Sequence, residues 1–305
     1  MRILQEVYKC EFCNKKMKKT LFIAAVIICS NVFSQQINYT ISRNQPVFPK
    51  YSLNLDLLNM DANFNNSDNL SFNAGLWGYA NILGGLEAQF NIQKSYAQLA
   101  RLVNKNYVGN IEASVGAAYF LKQLDRTENV RVVLSEKTSY DGRYTLTKYL
   151  MIPGTVSYKF GVQGGAYYRL SPYEFEVQYD SKDLNMTNIG LYAGGVIKRS
   201  TSLIINYNGD NTAMYSGNWD FFADAMILPV SSFKDTQTQS AISASDKELI
   251  KQSPLGFRAG CRLYQADKRE NTGKRFGVCY TGTFGKKPYQ GWFLSASIGI
   301  TLLKK

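Results

Sequence analysis

From residue 51 to the C-terminus, apolar and polar side chains alternate along the chain with a period of two. The run 86–93 reads LEAQFNIQ, and the last run, 292–302, reads WFLSASIGITL. A period of two is the spacing of side chains on one face of a β-strand. No segment after residue 35 keeps the longer repeat of an amphipathic helix. The pattern therefore predicts an all-β chain.

One face of the alternating segments is almost entirely apolar, and the other carries polar residues and glycines. A β-sandwich gives this pattern with its apolar face inward, and a membrane β-barrel gives it with that face outward. Many segments have the ~9–11 residues that a tilted strand needs to cross a bilayer. Tyr and Trp recur at segment ends, for example Tyr51 and Trp292, as in an interfacial aromatic girdle. We therefore predict an antiparallel transmembrane β-barrel, with a secreted or periplasmic sandwich as the alternative.

The number of strands follows less directly from the pattern. The alternation yields thirteen segments, but single-chain bacterial barrels have an even number of strands. We predict about 12 strands, with 10 to 14 compatible, because the short runs within 130–151 also fit a loop hairpin. The segments are 51–57, 70–82, 86–93, 111–121, 130–137, 143–151, 155–170, 188–198, 201–207, 217–229, 255–263, 275–284 and 292–302.

The N-terminus has the features of a secretory signal peptide. Lysines at 15–19 precede the apolar run LFIAAVII at 21–28, and the small residue Ser34 follows shortly after. We predict cleavage after Ser34, with an uncleaved anchor as the alternative. Met17 followed by two lysines resembles a bacterial start, so residues 1–16 are also compatible with a mis-called upstream extension. The predicted organisation is a signal peptide at 1–34, an extended lead-in at 35–50 and a single barrel domain at 51–305.

Composition excludes several functions. The chain of 305 residues contains no histidine, which rules out Ser-His-Asp and Cys-His catalysis and any imidazole metal site. The formal net charge is +12, but no dense Lys/Arg run marks a nucleic-acid surface. We expect no cofactor and no nucleic acid, and we assign the basic charge to contact with anionic membrane lipid.

A family resemblance rests on three of these features. The leader is Lys-rich and ends in Phe33-Ser34-Gln35, strands continue to the last residues, and an aromatic residue leads the final strand. In these respects the chain resembles Gram-negative outer-membrane β-barrel proteins. The resemblance implies export to the outer membrane. It also implies histidine for the enzymatic members, so we expect no enzyme of that kind here.

The charged residues on the polar faces are the candidate functional residues. We predict a lumenal ion-pair cluster of Asp220 and Asp224 with Arg258 and Arg262, because charges inside a barrel need partners. Acidic residues on early strands and basic residues on late ones would create a transverse field in a pore. A plugged lumen filled by the same charges is the alternative. The remaining predicted lumenal residues are Arg275 on the late strands and Asp56, Glu87 and Glu112 on the early ones.

Three functions are compatible with this pattern. The first is a passive pore or transporter for small polar solutes. The second is a non-conducting barrel that docks a protein partner through two polar loops, 171–187 and 230–253. The second loop has a capping-box pattern for a short helix at 245–250. The third is a carboxylate enzyme using Asp220 and Asp224. Cys261 and Cys279 fall on opposite strand faces, so we expect no disulfide between them.

Overall fold

A computed structural model describes residues 37–64, 70–98, 109–138, 145–177, 180–209, 211–243, 253–264 and 277–304. The predicted signal peptide and the predicted helix at 245–250 lie outside these ranges. The strands are β1 (Tyr39–Asn44), β2 (Tyr51–Asn63), β3 (Leu70–Leu83), β4 (Leu86–Gln98), β5 (Ile111–Thr138), β6 (Thr145–Val177), β7 (Asp180–Tyr207), β8 (Asn211–Asp235), β9 (Leu255–Tyr264), β10 (Gly277–Lys287) and β11 (Gly291–Lys304).

Strands β2 to β11 form a closed antiparallel ring of ten, because β11 pairs with β2 and β7 pairs with β8. Strand β1 lies outside the ring and pairs with β7. A closed sheet has no exposed edge, which is the property that separates a barrel from a sandwich. The predicted antiparallel barrel is confirmed. Below, the near mouth is the end at which β2 begins and β11 ends, and the far mouth is the opposite end.

The ring has ten strands rather than the twelve that we favoured. Three pairs of predicted segments each form one continuous strand: 111–121 joins 130–137, 143–151 joins 155–170, and 188–198 joins 201–207. Pro153 and Gly154 lie in the gap between the predicted segments 143–151 and 155–170, and they pair with Asn129 and Glu128 inside the β5–β6 ladder. Proline is tolerated there because pairing of β6 with β7 ends at Val156, which leaves the other edge of β6 without a ladder partner from β7.

The alternation places polar side chains inside the barrel and apolar side chains outside. On β2, Asn54 and Asp56 are buried, whereas the Leu57 side chain is 55 % exposed. A bulge between Asp56 and Asn59 shifts the register, so that Asp61 returns to the lumen. The outward apolar residues form a surface that we call the belt. It includes Leu57, Met60, Ile92, Val115, Tyr119, Val162, Leu191, Ile197, Phe221, Phe257, Phe284 and Leu294.

Strands β5 and β6 extend well past the belt at the near mouth. Pairing of β4 with β5 ends at Leu86 and Tyr119, but the β5–β6 ladder continues to Thr138 and Thr145. We call residues 122–138 and 145–155 the arm. At the other end, β6 continues to Val177 and β7 starts at Asp180, so the polar segment 171–187 is mostly strand and not the loop that we predicted. Likewise β8 covers residues 230–235 of the second predicted loop.

The chain divides into two compact units, Met1–Thr40 with Asn206–Thr212, and Ile41–Ile205 with Ala213–Lys305. In the smaller unit, the backbone N–H of Asn208 donates to the Asn38 carbonyl at 3.3 Å. Asn208 and Gly209 have φ values of 48° and 85°, which fit the Asn-Gly hairpin turn that connects two strands directly. Within the described residues, no helix is long and apolar enough to cross a membrane.

Candidate functional site in the barrel lumen

Lys198 contacts two buried carboxylates at the near-mouth end of the lumen. Its Nζ lies 2.7 Å from both carboxylate oxygens of Glu87 and 3.6 Å from Oδ2 of Asp220. The Tyr264 hydroxyl donates to Oδ1 of Asp220 at 2.6 Å. Because Glu87 is on β4 and Lys198 is on β7, this contact joins strands that are three positions apart in the ring. We call Lys198, Glu87, Asp220 and Tyr264 the Lys198 group.

A second ion pair, Arg258 with Asp224, lies in the middle of the lumen wall. Arg258 Nε donates to Oδ2 of Asp224 at 2.8 Å, as expected for side chains that face each other on the paired strands β8 and β9. Gln163 on β6 donates to the other oxygen of Asp224 at 2.7 Å. Gln89 on β4 in turn donates to Gln163 at 3.1 Å. The polar chain thus runs from β4 to β9 through the barrel interior.

The third group contains Lys287 of β10, which forms an ion pair with Asp61 of β2. Lys287 Nζ also lies 3.9 Å from Glu112 Oε2 on β5, and Arg169 Nη1 lies 3.8 Å from the same oxygen. Strands β5 and β10 are five positions apart in the ring of ten, so they are on opposite walls. A charge contact between them therefore crosses the lumen.

Aromatic rings complete the packing between these groups. The guanidinium of Arg262 lies 5.1 Å from the Trp77 ring centroid and 4.8 Å from that of Phe222. Trp77 and Phe222 lie on β3 and β8, again five strands apart. Trp77 Nε1 donates to Asp56 at 3.0 Å. The Arg262 side chain is thus sandwiched between opposite walls, an arrangement that cation–π attraction stabilises.

The near mouth is crossed by residues 44–50, which we call the strap. The Asn44 side chain accepts a hydrogen bond from the Thr155 backbone on β6 at 2.6 Å, and the Val47 carbonyl accepts one from Ser200 on β7 at 2.8 Å. At its other end, the Lys50 carbonyl accepts a hydrogen bond from the Asn81 backbone on β3 at 2.7 Å. Since β3 and β7 are four strands apart, the strap runs from one side of the mouth to the other.

The far mouth is covered by the turn between β10 and β11. Gln290 Nε2 donates to the Ser171 hydroxyl on β6 at 2.7 Å, a contact between walls four strands apart. The ring of Tyr289 packs edge-on against Phe233 at 6.0 Å. Leu184 and Met186 are buried against Phe233. Among the described residues, polar and apolar contacts of this turn therefore extend across the far mouth.

One cavity inside the barrel is small. A cavity of about 40 Å³, measured as the space open to the centres of water molecules, lies between charged and aromatic side chains. That volume suits a few water molecules, since one water needs roughly 10–15 Å³ on this measure. The lining residues include Asp56, Asp61, Glu112, Arg258, Arg262 and Lys287.

The structure brings some of the predicted site residues together and separates others. Asp224 contacts Arg258, whereas Asp220 contacts Lys198 although Arg262 faces it in the strand register. Glu87, Glu112 and Asp56 all point into the lumen, and Arg275 lies outside the described residues. Three further lumenal cations were not predicted from the sequence. Lys198, Arg169 and Lys287 all lie on polar strand faces, so the alternation itself contained the signal.

Cys261 and Cys279 are both free, as predicted. Cys279 is buried with its sulfur 3.9 Å from Asp56 Oδ1, whereas Cys261 is partly exposed. Among the described residues, no group of three or more His, Cys, Asp and Glu side chains could hold a metal ion.

A charged cluster outside the lumen lies just beyond the belt. The Tyr158 hydroxyl donates to Glu128 at 2.7 Å, and Arg199 donates to the same carboxylate at 3.1 Å and to the Tyr158 hydroxyl at 3.2 Å. These hydrogen bonds, first that of Tyr158 and then that of Arg199, hold the pKa of Glu128 below its ordinary value of 4.5. The cluster joins β5, β6 and β7 where the arm begins.

This cluster predicts an acid-dependent contribution to stability. Because the pKa of Glu128 is lower in the folded chain than in the unfolded one, its stabilisation is fully present above the unfolded pKa and disappears as pH falls through the folded pKa. We expect Glu128→Gln to lower the urea midpoint at neutral pH, and the difference from wild type to shrink as the pH falls below the ordinary glutamate pKa of 4.5. A difference that stays constant over this range would contradict the assignment.

No protein-family model matches the chain, and no curated protein matches it. Among solved structures, an anion-selective porin from Comamonas acidovorans is 9 % identical, with 87 % of this chain and 99 % of the porin covered, at a TM-score of 0.16. OmpT, an outer membrane protein of Vibrio cholerae, is 8 % identical over 87 % of this chain and 96 % of its own, at a TM-score of 0.18. Values this low identify no relative, and the fold rests on the strand pairing.

Proposed function

We propose that this protein is an integral outer-membrane β-barrel with a closed lumen, acting as a membrane-anchored scaffold and not as a passive pore. The observation that supports this most directly is the set of charge contacts between opposite walls, above all Lys287 with Glu112. Hydrated solutes need a continuous aqueous path, and a lumen crossed at several levels by paired side chains offers none.

Membrane insertion is supported by the inverted distribution of side chains. The belt exposes large apolar residues around the ring, among them Val115, Leu191 and Leu294, each more than half exposed. Soluble monomers rarely expose contiguous apolar patches larger than a few hundred Å². Burial in lipid stabilises each such side chain by about 1.5–3 kcal/mol, and closure of the sheet leaves no unpaired strand edge in the bilayer. With the predicted export signal, these features support an outer-membrane location.

A scaffold role is supported by the arm, which projects past the belt at the near mouth. Tyr149 and Met151 on the arm are each about half exposed, and the Arg131 guanidinium lies 4.2 Å from the Tyr149 ring centroid. Exposed aromatic and methionine side chains beside arginine are enriched at protein–protein interfaces. The candidate catalytic carboxylates Asp220 and Asp224 are instead engaged by Lys198 and Arg258, which supports a structural role for them.

The test is single-channel recording on the refolded mature chain. We expect a compact band on an unboiled gel, which shows a folded barrel, and no discrete current steps in planar bilayers. A porin reconstituted in the same preparation controls for insertion. Stable ohmic steps from the folded chain would contradict the closed lumen and favour the passive pore, whose selectivity should then change in Arg258→Glu and Arg262→Glu.

A further inference from the structure

Three cationic residues lie on the strands around Tyr158, on the outward face of the barrel just beyond the belt at the near mouth, and one of them, Arg199, donates to the Tyr158 hydroxyl at 3.2 Å. Lys122 and Arg126 lie on β5, and Arg199 lies on β7. We call Lys122, Arg126 and Arg199 the basic rim. We propose that the basic rim binds the phosphate group of an anionic phospholipid whose acyl chains lie along the belt. This proposal rests on the proposed insertion of the barrel in the membrane.

The strand register places the basic rim directly beside the belt. Tyr119 pairs with Val162, and both side chains are exposed belt residues. In the next outward row, Lys122 pairs with Phe160, which pairs with Ile197. Lys122 thus lies in the same row as the belt residue Ile197, and Tyr158 and Arg199 follow in the next row. Aromatic and basic side chains at such a boundary match the headgroup region of a bilayer.

The charge balance of this surface is positive. Arg199 is held by Glu128 and by the Tyr158 hydroxyl, with its Nη2 3.1 Å from Glu128 Oε2. Lys122 and Arg126 are exposed, and Glu128 is the acidic residue that the described β5, β6 and β7 place on this outward face of the arm. Asp125 lies on the opposite face of β5, where Gln123 donates to it at 3.5 Å. Three cations therefore face one carboxylate.

The strand register places the three cations close enough together to contact one lipid headgroup. Tyr158 pairs with Leu124 on one side and with Arg199 on the other, and Lys122 and Arg126 are two residues from Leu124 in either direction. With strands about 4.8 Å apart and a rise of about 3.3 Å per residue, both side chains start roughly 8 Å from Tyr158. Long, flexible lysine and arginine side chains cover that distance. A phosphate above Tyr158 would contact all three cations.

The net charge favours anionic over zwitterionic lipid. A choline or ethanolamine headgroup carries its own cation, which the basic rim would repel, whereas a glycerol headgroup leaves the phosphate charge uncompensated. Each Lys or Arg near an anionic surface contributes favourably, and the attraction weakens with added salt. We therefore expect selectivity for phosphatidylglycerol over phosphatidylcholine that falls as ionic strength rises.

The experiment compares lipid binding by the folded chain in neutral detergent. Native mass spectrometry counts phosphatidylglycerol and phosphatidylcholine molecules retained by the wild type, by Lys122→Gln/Arg126→Gln and by the matched control Lys94→Gln/Lys286→Gln. The control removes two exposed lysines, on β4 and β10, at the opposite end of the belt. We expect the wild type and the control to prefer phosphatidylglycerol. In the Lys122/Arg126 variant, the ratio of retained phosphatidylglycerol to phosphatidylcholine should fall about tenfold.

Two results would overturn the proposal: equal retention of both lipids by the wild type, or an equal loss of preference in the control and in the Lys122/Arg126 variant. Insertion is measured separately, as the compact band formed in vesicles of phosphatidylcholine alone. A chain that inserts there without lipid preference refutes the basic rim but keeps the proposed membrane function. A chain that does not form the compact band in these vesicles refutes the membrane function itself.

Discussion

Replacement of Lys198 by methionine is expected to destabilise the folded barrel by about 3–5 kcal/mol, the range for removing one partner of a buried ion pair. Lys198 is the cation that contacts both Glu87 and Asp220, and both carboxylates are almost fully buried. Methionine preserves the length of the side chain and removes its charge. The two carboxylates would then remain in a low-dielectric interior, with Asp220 keeping its hydrogen bond from Tyr264.

The loss is measured as a shift of the denaturant midpoint for the compact band on unboiled gels. Lys234→Met is the matched control, because Lys234 is an exposed lysine on β8 and its substitution should change stability by less than about 0.5 kcal/mol. The double variant Lys198→Met/Glu87→Leu should be more stable than Lys198→Met alone, since it removes one of the unpaired carboxylates. If Lys198→Met and Lys234→Met behaved alike, the Lys198 group would have no structural role.

The sequence predicts the face of each side chain better than it predicts contacts. Alternation alone separated Cys279 from Cys261 and placed Asp56 and Asp224 on the polar face, because a strand has only two faces. Which lumenal charges meet depends on the stagger of ten strands and on side-chain length. Asp220 faces Arg262 across the β8–β9 ladder, but the flexible Lys198 chain contacts it from β7 while Arg262 is sandwiched between two rings.

Strand length was the second feature that the pattern could not settle. Turn-forming residues such as Pro153 and Gly154 normally mark the end of a strand, but in the arm they lie where β6 no longer pairs with β7. The positions of the strap and of the β10–β11 turn across the two mouths likewise do not follow from the local sequence pattern. Pro46 and Pro49 predict an extended lead-in, whereas its path across the near mouth depends on contacts with the distant residues Asn81 and Ser200.

Replacement of Gly194 by valine is expected to prevent formation of the compact barrel. Gly194 lies on β7 with its hydrogen atoms towards the lumen, beside Asp224 of the neighbouring strand β8. A Cβ atom there would overlap the Ala223 carbonyl oxygen and lie 2.5 Å from Asp224 Oδ1. Backbone atoms of a paired strand cannot move aside without breaking the ladder, and a shift of Asp224 would separate it from Arg258 and Gln163.

The adjacent residue provides the matched control, because Gly195 faces outward. Among the described residues, a Cβ atom on Gly195 meets only the Gly161 carbonyl oxygen, at 4.0 Å. Gly195→Val adds the same volume to the same strand and should form the compact band with wild-type yield, since the added apolar volume would lie on the belt, which we propose contacts lipid. Valine favours strand formation at both positions. A difference in yield between the two variants therefore reports on lumenal packing and not on strand propensity. Wild-type yields of compact barrel from both variants would contradict the close packing of Gly194 against Ala223 and Asp224.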